Sequence, residues 1–150
     1  MLRENFASEL KLAMKAGDRR RVETIRMINA ALKDRDIEAR VTAKEIGDEE
    51  ILALLQKLVK SRQESMEIYQ NNARPELAAQ EREQIAVISS FLPKPLAEEE
   101  VKTAIHAAIV ETGAASVKDM GKVIAALKAQ HSGKMDFSKA SGLVKAELAG

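Results

Sequence analysis

Four lysines and a glycine in the last third of the chain have the types and spacing best suited to contact a phosphate backbone. Lys118, Gly121 and Lys122 lie within five positions, and Lys128 and Lys134 follow. On a helix, Lys118 and Lys122 share one face, and Gly121 beside them lets a sugar–phosphate backbone approach closely. The functional interpretation of this pattern is a surface that binds a nucleic-acid backbone. The alternative interpretation is that Gly121 allows tight helix packing inside its own module.

A second basic face recurs at every seventh residue earlier in the chain. Arg19, Arg26 and Lys33 have this spacing and therefore form one line along a helix. The structural interpretation of such a line is an ordinary solvated helix face. The functional interpretation is a phosphate-binding surface. Aromatic residues make up only 3% of the chain, and proteins that bind single strands stack bases on aromatic side chains. An RNA ligand would therefore be recognised by folded shape and backbone.

One arginine and one glutamate interrupt apolar stripes and need partners. Arg62 lies among Ile51, Leu55, Leu58, Met66 and Tyr69 at helical spacing, and Glu81 lies between Leu77 and Ile85 on the next helix. An unpaired charge in a packed seam is costly. We therefore predict a structural ion pair between Arg62 and Glu81.

The patterns that identify common enzymes are missing from the sequence. It has no phosphate-cradling glycine loop, no Gly-x-Ser-x-Gly elbow and no His-Glu-x-x-His pair. Without cysteine, neither a disulfide nor a thiolate metal site forms. His106 and His131 lie on different predicted helices, where structural roles are expected. We predict no catalytic residue, no metal and no cofactor.

Helical periodicity runs through the whole chain, so the elements that position these residues are predicted to be all-α. We expect an N-terminal helical module at 1–93 with a long helical hairpin, followed by a small three-helix bundle at 96–150. Two prolines, Pro93 and Pro95, mark the connector. The helices are predicted at 2–16, about 18–35, 48–71 and 75 to near 92, then from about 98, 116 and 136, with Thr42–Glu45 as a possible single turn.

Three ordered motifs give the chain a resemblance to the GatB/YqeY family. They are Arg21–Arg26, the stretch from Arg62 to Leu92 with Tyr69 and Arg74, and Asp119–Val123. A glycine commonly ends the helix before the arginine in this family, and we expect Asn72 to take its left-handed conformation here. The helix after the linker often starts at a serine, where this sequence has Ala97.

The resemblance is to the C-terminal helical tail of the B subunit of the glutamine-dependent amidotransferase that acts on misacylated Glu-tRNA or Asp-tRNA. It implies a non-catalytic accessory protein that contacts tRNA or another structured RNA, because the amidotransferase chemistry belongs to a separate, larger domain. Two alternatives stay open: a helical module that binds a protein partner, and an accessory part of a carbon–nitrogen ligase with glutamine as amido-N-donor. Charges throughout the first 16 residues exclude a signal-peptide core there. We expect a cytoplasmic protein without a membrane partner.

Overall fold

The computed structural model describes residues 1–149, and within them every regular element is helical, as predicted. Contacts divide the chain into two compact units, the first spanning Met1–Leu92 and the second beginning at Pro93. No helix in the described range is both long and apolar enough to cross a membrane. The α-helices are α1 (Leu2–Ala16), α2 (Arg19–Val41), α3 (Asp48–Asn71), α4 (Pro75–Ser89), α5 (Glu98–Thr112), α6 (Met120–His131) and α7 (Phe137–Ala149), with a single 3-10 turn at Val117–Asp119 before α6.

The ring of Phe91 joins three distant segments of the first unit. Its centroid lies 4.9 Å from that of Phe6 on α1, with the rings close to perpendicular. The Arg21 guanidinium carbon lies 5.6 Å above the Phe91 ring, and Arg21 NH2 donates to Glu9 Oε2 at 3.0 Å. Phe91 is therefore part of the core.

Helix α2 begins as predicted but ends later. Asp18 caps its start by accepting a hydrogen bond from the Arg21 N–H. The helix was expected to end near residue 35 and instead reaches Val41. Its added turns are held because Arg3 donates two hydrogen bonds to the Asp36 carboxylate, at 3.0 and 2.7 Å. The polar composition of this segment concealed that long-range pairing. Thr42 and Ala43 form the turn that ends α2, and Thr42–Glu45 forms no helical turn of its own.

Helices α3 and α4 form the long hairpin, and its turn differs from the prediction at one residue. Asn72 has a φ of −103°, so the expected left-handed conformation there is wrong. Ala73 adopts it instead, with a φ of 55°, and Ala43 does the same after α2, with a φ of 56°. At each alanine the left-handed conformation is stabilised by a hydrogen bond that closes the end of the preceding helix. The Arg74 N–H donates to Tyr69 O, and the Lys44 N–H donates to Ala39 O.

The predicted ion pair between Arg62 and Glu81 is wrong. Arg62 is half-buried, but its Nε donates to Gln84 Oε1 at 2.9 Å. Its other nitrogens reach Leu58 O at 3.1 Å and Met27 Sδ at 3.2 Å. The register of the hairpin explains the error, since residues 62 and 84 are equally far from Ala73 whereas residue 81 is three positions closer. Within residues 1–149, the half-buried Glu81 carboxylate forms no ion pair or hydrogen bond.

The second unit has a small core contributed by α5, α6 and α7. Its buried side chains include Ile105, Val123, Leu127 and Val144. The start at Ala97 has no side-chain cap, but Glu100 Oε1 accepts a hydrogen bond from its N–H at 3.0 Å.

Helix α7 is capped by Asp136, as its sequence predicts. The Asp136 carboxylate accepts from the N–H of Ser138 at 2.9 Å. Ala140 and Val144 on this helix are buried, whereas Leu143 is 44% exposed.

The left-handed alanines predict an unusual pair of stabilising substitutions. Ala73→Gly and Ala43→Gly should each raise the free energy of unfolding by about 0.5–1 kcal/mol, because glycine adopts a positive φ without steric cost. Denaturant unfolding of the full chain measures the effect. Ala30→Gly, in the exposed middle of α2, is the control and should lower stability by about 1 kcal/mol. Loss of stability at both turns would contradict the assignment.

The Arg62 contacts predict which hairpin residues are coupled. Arg62→Ala should lower the free energy of unfolding by about 1.5–3 kcal/mol, the usual cost of losing hydrogen bonds to a charged group. In double-mutant cycles, Arg62 and Gln84 should couple by about 1 kcal/mol, whereas Glu81→Ala should change stability by less than about 0.5 kcal/mol. A larger coupling of Arg62 to Glu81 than to Gln84 would show that the two charges do meet.

Candidate functional site

Asp119 organises the turn that carries Lys118 and leads into α6. Its Oδ2 accepts hydrogen bonds from Ala115 N–H at 2.9 Å and Ser116 N–H at 3.3 Å. The carboxylate thus reaches back from the third position of the turn to its start, as a glutamate does in a capping box. These bonds, with a smaller contribution from the charge of Lys122, hold the pKa of Asp119 below its ordinary value. Lys118 and Gly121 are therefore attached to a fixed turn.

The outward face of α6 is set by what the helix buries. Val123 and Leu127 are 0% and 1% exposed, so the side chains on the opposite face point to solvent. Lys118 and Lys122 are both exposed and form no ion pair in the described part of the chain. Lys118 belongs to the 3-10 turn, and Lys122 belongs to the first turn of α6. The two lysines therefore lie on either side of the start of α6.

Gly121 has open space around it. A Cβ built at this position would meet no heavy atom within 4 Å. Tight helix packing inside the module, the alternative explanation of this glycine, is therefore wrong. The open space continues along the helix, because Ala125 and Ala129, one and two turns further on, are also exposed.

Sequence reasoning did not find these two alanines, although their spacing of four from Gly121 was visible. With Gly121 they make a flat strip on α6, which we call the small-residue face. Lys122 lies beside it.

The other two candidate lysines lie apart from this pair. Lys128 is about 120° around α6 from Lys122, and its Nζ lies 6.0 Å from the centroid of the Phe137 ring. Lys134 follows α6 in a half-buried loop, where its N–H donates to His131 O and its carbonyl accepts from Leu96 N–H. The five residues therefore form a close group of three with two outlying members.

The basic face of the first unit is also accessible. Arg19, Arg26 and Lys33 are exposed on α2, and none of the three forms an ion pair within residues 1–149. Their neighbours Arg20 and Arg21 are engaged with Glu83 and Glu9.

A groove of about 190 Å³ lies between α2 and α4, and the one cation in its lining is already paired. Arg20 and Glu83 pair across it. The remaining lining is polar except for one valine: Glu23, Thr24, Gln80, Gln84 and Val87.

Neither histidine belongs to a cluster of titratable side chains in the described part of the chain. His106 Nδ1 lies 3.0 Å from Glu147 Oε1, which connects α5 to α7. His131 is the last residue of α6. Across the part of the chain that the structure describes, no three His, Asp or Glu side chains come together as metal ligands would.

The Asp119 hydrogen bonds predict an acid-sensitive turn. A carboxyl whose pKa is lower in the folded state than in the unfolded state stabilises the fold above its unfolded pKa, about 3.9. That contribution is lost as the pH falls through the lower, folded value. Asp119→Asn should therefore reduce the loss of stability of the second unit at acid pH, measured by denaturant unfolding at a series of pH values.

The exposed Glu98, which accepts no hydrogen bond from the described residues, provides a matched control. Glu98→Gln makes the same change of charge in the same unit without removing a carboxylate that accepts backbone hydrogen bonds. An equal effect of both substitutions would show that net charge, and not the turn, is responsible.

Two comparisons with known proteins identify relatives of the chain. A model of the family described as Yqey-like protein matches residues 3–148. Over 96 residues the chain is 32% identical to "Altered inheritance of mitochondria protein 41, mitochondrial" of Lachancea thermotolerans. That alignment covers 63% of this chain and 50% of the relative, so the chain spans about half the length of the relative it matches. From the family match over nearly its whole length, the chain belongs to the YqeY-like protein family.

Proposed function

We propose that the protein is a non-catalytic, RNA-binding accessory protein whose second unit contacts the sugar–phosphate backbone of a structured RNA, with tRNA as the favoured ligand. The observation that carries the proposal is the open surface at Gly121 between two unpaired lysines. The choice of tRNA comes from the resemblance to the amidotransferase tail.

The chemistry of the surface fits a phosphate backbone. Ammonium groups on Lys118 and Lys122 attract phosphates and release their counterions. A strip of glycine and alanine lets a backbone approach closer than longer side chains would permit. The nearby Asp119 carboxylate is negatively charged, and the two backbone N–H groups that donate to its Oδ2 offset only part of its repulsion of an anion.

This face would recognise the folded shape of an RNA and not the identity of its bases. The face offers no aromatic ring for a base to stack on, since its members are lysines, glycine and alanines. Double-helical RNA is recognised mainly through backbone and 2′-hydroxyl contacts. A stem of a folded RNA therefore suits this face better than an unpaired loop.

The lysine pair predicts a change in salt dependence. Lys118→Ala/Lys122→Ala should weaken tRNA binding and reduce the slope of log affinity against log salt by roughly two, one for each phosphate that is no longer neutralised. Fluorescence anisotropy over a salt series measures both quantities. The matched control is Lys139→Ala/Lys145→Ala, which removes two exposed lysines from α7 in the same unit.

Gly121 separates binding from folding. Gly121→Leu should weaken tRNA binding, because the side chain occupies the open face. The same change should stabilise α6 by up to about 1 kcal/mol, because glycine is a poor helix former and the added atoms meet no neighbour at the Cβ. Weaker binding with higher stability excludes simple misfolding.

Two results would oppose the proposal. The first is tRNA affinity that the lysine pair and Gly121→Leu both leave unchanged. The second is a complex with a protein partner that persists at high salt, which favours a helical interaction module. The exposed Ile68 on the α3–α4 hairpin, at 58%, would be a first contact to mutate for that alternative.

A further inference from the structure

The late end of α2 extends its basic face by one residue. Arg40 follows Lys33 by seven positions, as Lys33 follows Arg26 and Arg26 follows Arg19. Had the helix ended near residue 35, Arg40 would have been outside the pattern. These four residues, here called the α2 cation line, run for about 32 Å and drift by only about 60° around the helix.

All four side chains of the α2 cation line are available to a ligand. Each is exposed, and none forms an ion pair or hydrogen bond with any residue in the described range 1–149. The carboxylate nearest in helical spacing to Arg40 is Asp36, which already pairs with Arg3. The arginines that hold the unit together, Arg3, Arg20 and Arg21, are different residues. The line is therefore not needed for the ion pairs that hold the fold together.

We propose that the α2 cation line is a second RNA contact, which binds the phosphate backbone of a double-helical segment along its length. The choice of RNA as the ligand rests on the proposed function, whereas the placement on α2 does not. The line is about 32 Å long, so a duplex that lies along it presents several successive phosphates to the four cations. A straight row of cations suits a rigid duplex, which proteins recognise through its phosphates and shape.

A single strand fits this surface poorly. Proteins that bind single strands add stacking on aromatic rings to their basic groove. Helix α2 contains no aromatic residue from Arg19 to Val41. The line therefore offers charge and regular spacing without a surface for unpaired bases.

An anionic membrane is the main competing ligand, because two apolar residues lie at one end of the line. Ile37 is 50% exposed and Val41 is 88% exposed. A helix that lies on a membrane inserts a continuous apolar face. That face of α2 is buried, with Ile25 and Ile28 at 0% exposure. The cations extend over the whole helix and the exposed apolar residues over its last turns only, so a duplex matches more of the surface.

The test uses the full chain and a blunt RNA duplex of about one and a half turns, the length that shape-specific duplex binders span. Arg26→Gln/Lys33→Gln should weaken duplex binding roughly ten- to hundredfold at 0.1 M salt and reduce the salt slope by about two. A single strand of the same length should bind more weakly than the duplex. The thermal unfolding midpoint should not change, since both residues are exposed.

A matched control removes two other exposed cations from the same unit. Lys11→Gln/Lys15→Gln makes the same change of charge on α1 and should have much less effect on duplex binding. Equal losses in the two variants would overturn the proposal, since they would show only a general effect of charge. Binding to anionic vesicles that requires the α2 cation line and Val41, without duplex binding, would also overturn it.

The outcome is distinguishable from that of the proposed function. If Lys118→Ala/Lys122→Ala weakens tRNA binding while the α2 variant binds tRNA and duplex as the original protein does, only the α2 contact is wrong. If the α2 variant loses duplex binding and the Lys118/Lys122 variant keeps tRNA binding, the α2 contact stands and the site on α6 is wrong. If the original protein binds neither RNA, both are wrong.

Discussion

The contacts on the Phe91 ring are the constraint on which the first unit depends. An edge-to-face aromatic contact, a cation above the ring and an ion pair to that cation bring together the start of α1, the start of α2 and the end of α4. Arg21 can reach Phe91 only if that side of α2 faces the core. Because Arg26 lies about 140° further around the helix, the same rotation directs it to solvent. The contact of Arg21 with Phe91 and the exposure of Arg26 therefore follow from the same rotation of α2 about its axis.

The two units present positive charge in different ways. In the first, arginines divide into those that pair internally, such as Arg20 and Arg21, and those that stay exposed along α2. In the second, two lysines flank a strip without large side chains, and the nearby acid is bound to backbone N–H groups. Guanidinium groups form directed, planar hydrogen bonds to phosphate, whereas ammonium groups act as compact point charges. A row made mostly of guanidinium groups, such as the α2 cation line, suits a regular backbone, and a pair of ammonium groups suits close approach.

Local signals predicted most of the helix starts, and long-range contacts caused the errors. Three helix starts were predicted from a single residue each, because capping depends on a few adjacent residues: Asp18, Pro75 and Asp136. The end of α2 depends on Arg3, which is 33 positions from Asp36, and no local pattern contains that contact. Arg62 was recognised as needing a partner, but choosing Gln84 over Glu81 required the register of the hairpin. At the candidate site, lysine and glycine were visible in sequence, whereas the open space around Gly121 depends on where α5 and α7 lie.

The small core of the second unit has a consequence for how it would respond to a ligand. Its buried side chains are aliphatic residues and one methionine, and a module of this size gains little free energy from burial. The locally unfolded form of such a module lies only about a few kcal/mol in free energy above the folded form, so a part of the population is locally unfolded at equilibrium. A ligand that binds only the folded form shifts that population in proportion to its concentration over its Kd. Amide hydrogen exchange in α6 would then report occupancy of the surface as well as the order of the helix.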